Sequence, residues 1–224
     1  MPIEALAAGL SLRPVRRAPD DAILVTARVF AVADGTDLGR GAGRAALAHL
    51  QRLLGPHPTA RSLARALSVV NLALWLDEDG SGAMRSTMTA AVLTGQRLAV
   101  GHVGDSRAYL VRNGRVYCLT SDQSWPAPPG TEPVRRLGHG PAVAPHLRRY
   151  LVDDGDRLVL CTDGVWRRLT DNDLSLAATL APGLACEVLC DKSVAEGDED
   201  ASVVVVAFSQ ASSSSAHDEP LAQG

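Results

Sequence analysis

The sequence has few aromatic residues and no long apolar run, and these two absences exclude several classes of protein. Phe, Trp and Tyr make up only 4% of the 224 residues, too few for the stacking platforms of proteins that bind single-stranded nucleic acid. The net charge of −3 gives no electrostatic reason to bind nucleic acid or an anionic membrane. No apolar run approaches the roughly 20 residues of a membrane-spanning helix. We therefore expect no nucleic-acid partner and no membrane partner.

Cysteine is also scarce, and its spacing does not suit zinc. The four cysteines are Cys118, Cys161, Cys186 and Cys190, and no two of them form the CxxC pair of zinc sites. The last two lie one helical turn apart, which leaves a redox or metal role open but favours a core-facing side of a helix. The N-terminal stretch has an acid before its short apolar segment and arginines after it, the reverse of a signal peptide. We expect a cytoplasmic monomer with buried, reduced thiols.

Apolar runs with strand character recur along residues 1–208 and predict a single domain rich in β-structure. The Ser-rich segment that follows, 209–224, has the composition of a disordered tail. An Asn-Gly pair at 113–114 lies between two runs and predicts a tight hairpin. The predicted strands are 22–33 (two strands or one bent hairpin), 87–93, 97–103, 108–112, 115–119, 148–152, 157–162 and 202–208.

Three other segments carry apolar residues three or four positions apart, the spacing of one helix face. They predict helices at 41–54, 59–77 and 183–195. The strands are joined mostly by short turns, so we expect antiparallel sheets. The first two helices form a hairpin that must cover one face of a sheet. The sequence therefore predicts a layered α+β domain.

Acidic residues stand at the ends of five predicted strands. They are Asp21, Asp34, Asp105, Asp163 and the adjacent pair Glu199 and Asp200. Each of them alone is explained by the preference of Asp and Gly for turns. If the sheets stack, however, the acids can converge on one rim, where mutually repelling carboxylates need cations. Oxygen ligands favour Mg²⁺ or Mn²⁺ over zinc or copper, and two such ions can hold a hydroxide for attack on a phosphoryl group.

Six motifs, in order along the chain, resemble those of the bacterial type 2C metal-dependent serine/threonine protein phosphatases. The most specific is GDSRAYL at 104–110, with RNG at 112–114 and LTSD at 119–122, and next comes LCTDGVW at 160–166. The other four are the opening from Arg16 to Ala22, FAVADG at 30–35, MRST at 84–87 and EDAS at 199–202. The resemblance implies an α+β, four-layer αββα sandwich of two antiparallel β-sheets flanked by helices.

The same resemblance implies a site for two Mn²⁺ or Mg²⁺ ions at one end of the sandwich. Asp34 would bridge both ions, and Asp163 and Glu199 would complete the shell of one of them. Gly35 would offer its backbone carbonyl to the other ion, and Asp21 would act mainly through water.

Two further residues would complete the site by resemblance. Arg16 lies where the family places the arginine that grips the substrate phosphate, and a planar guanidinium matches two phosphate oxygens. Asp105 would serve a weaker third ion. The family's acid after DGLW is replaced by Arg167, whose charge opposes a cation there, so we expect the third ion to bind weakly or not at all.

Two other departures concern the main metal motifs. The family's double glycine after its first metal Asp is lost, because residues 34–39 read DGTDLG. Asp37 either adds a carboxylate there or caps the helix that begins near residue 41, and we favour the cap. Glu199 is one methylene longer than the usual Asp, and a shift of register that uses Asp198 or Asp200 instead remains open.

The activity implied is hydrolysis of phosphoserine or phosphothreonine on proteins by a hydroxide that bridges the metal ions, without a phosphoenzyme. The residues that would carry this catalysis are Arg16, Asp34 and Asp163. The partner would be a phosphorylated protein, and the physiological role would be to oppose a bacterial serine/threonine kinase. The alternative is a catalytically impaired domain that binds a phosphoprotein or a kinase. The altered glycine motif and Arg167 keep that alternative open.

Overall fold

The computed structural model describes residues 3–12, 20–35, 41–76, 84–123, 134–195 and 200–211. The predictions for Arg16, Asp37 and Glu199, and for the tail beyond residue 211, fall outside these ranges. Within them the chain forms ten strands and five helices. None of these helices has both the length and the apolar character needed to span a bilayer.

The strands and helices alternate in blocks along the chain. The strands are β1 Ile3–Leu12, β2 Ala22–Val25, β3 Val29–Ala33, β4 Met88–Thr94, β5 Arg97–Val103, β6 Arg107–Arg112, β7 Arg115–Cys118, β8 His146–Leu151, β9 Arg157–Cys161 and β10 Ala201–Gln210. The helices are α1 Ala42–Leu54, α2 Ala60–Trp75, α3 Asp163–Trp166, α4 Asp171–Ala177 and α5 Pro182–Ala195.

Two five-stranded sheets organise the domain. One has the strand order β1-β10-β9-β6-β7 and the other β2-β3-β4-β5-β8. Every pair of neighbouring strands is antiparallel, as the short connections predict. The run 22–33 is two strands, since β2 and β3 form a hairpin.

Three apolar cores separate four layers. In β3, Phe30 and Val32 belong to the core between the sheets, while Ala31 and Ala33 face the core under α1 and α2. In β10, alternate valines divide in the same way between the central core and the core under α3–α5. Strands covered on both faces read as continuous apolar runs. The αββα sandwich expected from the sequence is therefore confirmed.

The structure corrects several details of the sequence-based prediction. Strand β1 was not predicted, and neither were the short helices α3 and α4. Strand β10 ends at Gln210, two residues beyond the predicted strand. Cys118 is exposed, so the prediction of burial was wrong for this residue, because β7 is an edge strand. The other three cysteines are buried, and Cys186 and Cys190 face the core under α5.

Candidate metal centre

Three of the predicted site residues converge at one end of the sandwich. Carboxylate oxygens of Asp34, Asp105 and Asp163 all lie within 4.8 Å of one another. Asp34 directly follows β3 and Asp105 follows β5; these strands flank β4 in antiparallel pairing, so both run in the same direction and end at the same edge. Asp163 follows β9 of the other sheet and is the first residue of α3. Stacking of the sheets therefore brings the three acids together.

The loops that carry Asp34 and Asp105 are tied together by the segment that precedes β4. The Asp34 amide donates to the Thr87 hydroxyl at 3.3 Å, and the Thr87 amide donates to the Asp34 carbonyl at 2.8 Å. The Ser86 hydroxyl donates to the same carbonyl at 3.0 Å. Thr87 Oγ1 also lies 2.7 Å from the Ser106 hydroxyl, next to Asp105. The MRST motif thus acts as a clamp that fixes two acidic loops.

Two glycines allow the backbone to run close at this end. A Cβ on Gly35 would lie 2.8 Å from the Asp20 carbonyl oxygen, so any side chain there would force the backbone apart. Gly104 has a φ of +114°, and a Cβ on it would lie 2.6 Å from Thr87. Both contacts explain why glycine stands beside Asp34 and Asp105.

Burial and mutual repulsion make ionisation of the acids unfavourable. Burial, reinforced by the charge of Asp163, raises the pKa of Asp34 from 3.8 to about 7, although the Arg136 guanidinium opposes the shift. Burial also raises the pKa of Asp105, again with a contribution from Asp163. Carboxylates held this close cannot all be charged unless a cation compensates them.

Asp21 lies next to Asp34, at the start of β2. Its Oδ2 accepts a hydrogen bond from the Thr162 hydroxyl at 2.8 Å. Burial and the charge of Asp34 raise its pKa well above the ordinary value, while hydrogen bonds from Thr162 and Ser202 oppose that shift. Asp21 and Asp34 therefore lie side by side in a buried environment where ionisation of both carboxyls is unfavourable.

Asp200 lies at the start of β10 and borders the same group. Its Oδ2 accepts a hydrogen bond from the Asp20 amide at 3.1 Å, and its charge contributes to the raised pKa of Asp21. Its Oδ1 is buried and has no hydrogen-bond partner among the described residues. Asp200 therefore lies near the acids, while Glu199, the other register, falls outside the described residues.

Two arginines face the acids. Arg136 Nη1 lies 3.3 Å from Asp34 Oδ2. Arg167 Nη2 lies 3.0 Å from Asp163 Oδ2 and 3.7 Å from Asp105 Oδ2. Its positive charge therefore lies beside Asp105, where we expected it to oppose a third ion. Arg136 was not singled out from the sequence, because nothing in the run VRRLG distinguishes it from a surface arginine.

A second set of side chains supports the Asp105 loop. Arg107 forms a two-pronged pair with Asp122, at 2.9 and 2.8 Å, and its guanidinium carbon lies 3.4 Å from the centre of the Trp166 ring. The Trp166 indole donates to the Asp105 carbonyl at 2.9 Å. These contacts give Arg107, Asp122 and Trp166 structural roles in support of the Asp105 loop.

The donor set of this site suits a hard divalent cation. The three converging ligands offer oxygen alone, the chemistry that Mg²⁺ and Mn²⁺ prefer over zinc and copper. Asp105 Oδ1 is buried without a hydrogen-bond partner among the described residues, and an unpaired buried carboxylate oxygen is unfavourable unless a cation or donor meets it. The residues present therefore fit a divalent metal site.

Comparison with known proteins points to one family. The model of the protein phosphatase 2C family matches residues 20–195. The serine/threonine protein phosphatase PstP of Mycobacterium tuberculosis is 31% identical over 225 residues, which cover 86% of this chain and 42% of PstP. A probable protein phosphatase 2C of Oryza sativa is 29% identical over 135 residues, 55% of this chain and 20% of that protein. The chain thus spans less than half the length of these relatives.

Solved structures agree with the match. The catalytic domain of PstP in complex with two manganese ions superposes with a TM-score of 0.83 at 27% identity, covering 93% of this chain and all of that one. MsPP from Mycobacterium smegmatis, in complex with cacodylate, gives 0.79 at 28% identity, covering 90% and 97% of the two chains. PppA from Pseudomonas aeruginosa gives 0.81 at 21% identity, covering 91% and 97%, and supports the fold alone. Since the family match spans most of the chain, this protein belongs to the protein phosphatase 2C family.

Proposed function

We propose that the chain is a metal-dependent protein phosphatase that hydrolyses phosphoserine and phosphothreonine. The observation that carries the proposal is the convergence of Asp34, Asp105 and Asp163 within 4.8 Å, in a member of the protein phosphatase 2C family. Asp21, another predicted ligand, lies beside Asp34 because the adjacent residues Ala22 and Ala33 pair across the β2–β3 hairpin. The intact group of acids argues against the alternative of a binding module without turnover.

Two Mn²⁺ or Mg²⁺ ions held at these acids would lower the pKa of water to supply the nucleophile and would neutralise the phosphoryl group under attack. Asp34 and Asp163, with the Gly35 carbonyl and Glu199, are the residues we assign to hold them. Asp21 accepts a hydrogen bond from Thr162 and is assigned to act on one ion mainly through water. Asp105 is assigned to a weak third site, which Arg167 disfavours.

Arg16 is proposed to grip the substrate phosphate, as the family motif implies. We further propose that the substrate is a phosphorylated protein and that the enzyme opposes a serine/threonine kinase. We also propose that the protein is a monomer and that it is located in the cytoplasm. The four cysteines are free of disulfides, which suits a reducing compartment.

The first experiment measures hydrolysis of p-nitrophenyl phosphate and of a phosphothreonine peptide with Mn²⁺, Mg²⁺ or EDTA. Wild-type protein is compared with Asp34→Ala and Asp163→Ala. We expect turnover that requires Mn²⁺ or Mg²⁺ and that is lost in both variants. A folded wild-type protein without turnover at saturating Mn²⁺ would refute the enzyme and leave the phosphoprotein-binding module as the function to test.

A further inference from the structure

The backbone directly after Arg136 pairs with the segment that borders the metal centre. Ser86 forms β-bridges with Gly35 on one side and with Leu137 on the other. The Leu137 amide donates to the Ser86 carbonyl at 2.8 Å, and the Ser86 amide donates to the Leu137 carbonyl at 3.2 Å. The side chain of Leu137 is fully buried. The fold itself, rather than a side-chain contact, therefore places Arg136 beside the residues that follow β3.

The segment is fixed again just after Leu137. Asn71 of α2 accepts a hydrogen bond from the Gly138 amide at 3.0 Å and donates one to the Gly140 carbonyl at 2.9 Å. Gly138 has a φ of +79°, and a Cβ on it would lie 2.1 Å from the Met84 carbonyl oxygen. A residue that precedes such a constrained turn has little freedom to move its backbone away from the site.

The guanidinium of Arg136 points into the group of acids. Its Nη1 lies 3.3 Å from Asp34 Oδ2, and the side chain is only 15% exposed. Its charge acts against the burial-driven rise in the pKa of Asp34 and of Asp105 alike. The neighbouring Arg135 is exposed. One of two adjacent arginines is therefore directed at the site, and the other is directed at solvent.

The contact between Arg136 and Asp34 is not that of an optimised ion pair. Charge-assisted N–H···O bonds are usually about 2.7–2.9 Å long, and the distance from Arg136 Nη1 to Asp34 Oδ2 is 3.3 Å. Cations bound to Asp34 would weaken this contact further, because they compete for the same carboxylate charge. A guanidinium held at the rim of such a site has the donor geometry for phosphate oxygens.

We propose that Arg136 is a substrate-binding residue that donates hydrogen bonds to the phosphate group of the substrate, in addition to Arg16. The inference rests on the proposed phosphatase function, because it needs a phosphate to bind beside Asp34. The competing explanation is that Arg136 serves only as a counter-ion that stabilises the metal-free acids. The two explanations differ in phosphate binding, because only a substrate-binding role makes phosphate affinity depend on Arg136.

The test replaces one arginine at a time by a neutral side chain of similar length. Arg136→Gln is compared with Arg135→Gln, which makes the same change of charge at the adjacent exposed residue. Binding of inorganic phosphate to the Mn²⁺-loaded protein is measured by calorimetry, together with Mn²⁺ affinity, kcat/KM and the melting temperature. Phosphate binding needs no turnover, so it tests Arg136 even if the wild-type protein proves inactive.

We expect Arg136→Gln to weaken phosphate binding and to lower kcat/KM by about 10- to 100-fold, the loss expected for hydrogen bonds to a charged group. Mn²⁺ affinity should stay the same or rise, and Arg135→Gln should resemble the wild type. Arg136→Lys, which keeps the charge but loses the planar fork, should bind phosphate with intermediate affinity; it also serves as the test variant if Arg136→Gln does not fold.

Two results would overturn the inference. The first is unchanged phosphate binding in Arg136→Gln, whatever happens to Mn²⁺ affinity, because Arg136 would then not bind the phosphate. The second is an equal loss of phosphate binding in Arg135→Gln, which indicates a general effect of surface charge.

Discussion

An aspartate that is buried or partly buried stands at each end of strand β9. The surroundings of the two carboxylates differ in how they compensate the negative charge. Asp156 immediately precedes β9 and is 2% exposed. Arg112 donates to both of its oxygens, at 2.8 and 2.5 Å, and the Asp153 amide donates to Oδ2 at 2.8 Å. At this end of β9, the charge of Asp156 is therefore compensated by an ion pair with Arg112 and by a backbone hydrogen bond.

Asp163, just beyond the other end of β9, shares its surroundings with Asp34 and Asp105. Here the arginine contacts are longer, at 3.0 to 3.7 Å, and Asp105 Oδ1 has no hydrogen-bond partner among the described residues. Within the part of the chain that the structure describes, these acids lack the complete set of donors that Asp156 has. The structural acid Asp156 is thus completely paired with nearby donors, whereas the acids of the candidate metal centre raise one another's pKa by repulsion.

The sharpest contrast comes from removing the charge at Asp163. We expect Asp163→Asn to lower Mn²⁺-dependent kcat/KM by more than the roughly 10- to 100-fold that loss of a group behind a metal ligand typically causes. The metal-free variant should melt no lower than the wild type, because a repulsive charge has been removed. Hydrolysis of p-nitrophenyl phosphate and thermal melting in EDTA measure both effects. If Asp163→Asn keeps the wild-type activity, Asp163 does not hold a catalytic metal ion.

The opposite end should respond in stability instead. Arg112→Met leaves the buried Asp156 with a single backbone donor, and breaking a buried pair in this way costs about 3 kcal/mol or more. We expect the lower end of that range, because the Arg112 side chain is 34% exposed and water already screens it in part. Urea unfolding measures the change in the free energy of unfolding, and activity per folded molecule should stay unchanged.

Arg115→Met is the matched control, since Arg115 pairs with Arg112 across the β6–β7 hairpin and is exposed. A loss of stability as large in the control would show that the hairpin, rather than the ion pair with Asp156, determines the effect.

Asp34 should make the metal-free protein less stable as the pH rises. Burial raises its folded-state pKa from 3.8 to about 7, so the folded state holds the proton more tightly than the unfolded state. The resulting stabilisation is complete below 3.8 and is lost as the pH rises through about 7. Melting in EDTA from about pH 5 to about pH 8 should show this decline, and Asp34→Asn should reduce it. An identical slope in the variant would contradict the assignment.

Arg167 is expected to give the smallest effect, because its side chain is 46% exposed. Arg167→Glu replaces a charge that opposes a cation near Asp105 with one that attracts it. We expect the weakest Mn²⁺ site to tighten by up to about fivefold, the scale of an exposed ion pair. Calorimetric titration with Mn²⁺ measures the change, with Arg115→Glu as the control for net charge. Weaker binding in Arg167→Glu would show that Arg167 does not oppose a cation.

Most of the fold was predictable because its signals are local. The helix pair α1 and α2 and strands β2–β7, β9 and β10 follow from apolar spacing and turn residues. Strand β1 was missed because its sequence, IEALAAGLSL, contains three alanines, a glycine and a glutamate, which have low intrinsic strand preference. Its conformation comes from ten residue pairs with β10. The four-residue helix α3 and the seven-residue helix α4 are too short for a periodic pattern to show.

The candidate site was predictable in its residue types but not in its contacts. Asp34, Asp105 and Asp163 were named from their places at strand ends, and the structure brings those three together. Asp200 had been given only as an alternative register. The clamp made by Thr87, the burial of Asp21 beside Asp34, and the inward direction of Arg136 were not foreseen. Each depends on residues far apart in the chain.

The sequence by itself determined the order of strands and helices, the family motifs and the placement of acids at strand ends, because these depend on neighbours within a few residues. Only the tertiary structure decided which acids meet in the candidate metal centre. Asp156 and Asp163 stand at the two ends of one strand, and the same residue type at both ends does not distinguish their roles. The stacking of two sheets surrounds Asp163 with like charge and gives Asp156 a matched arginine, and electrostatic energy depends on distance in space rather than along the chain.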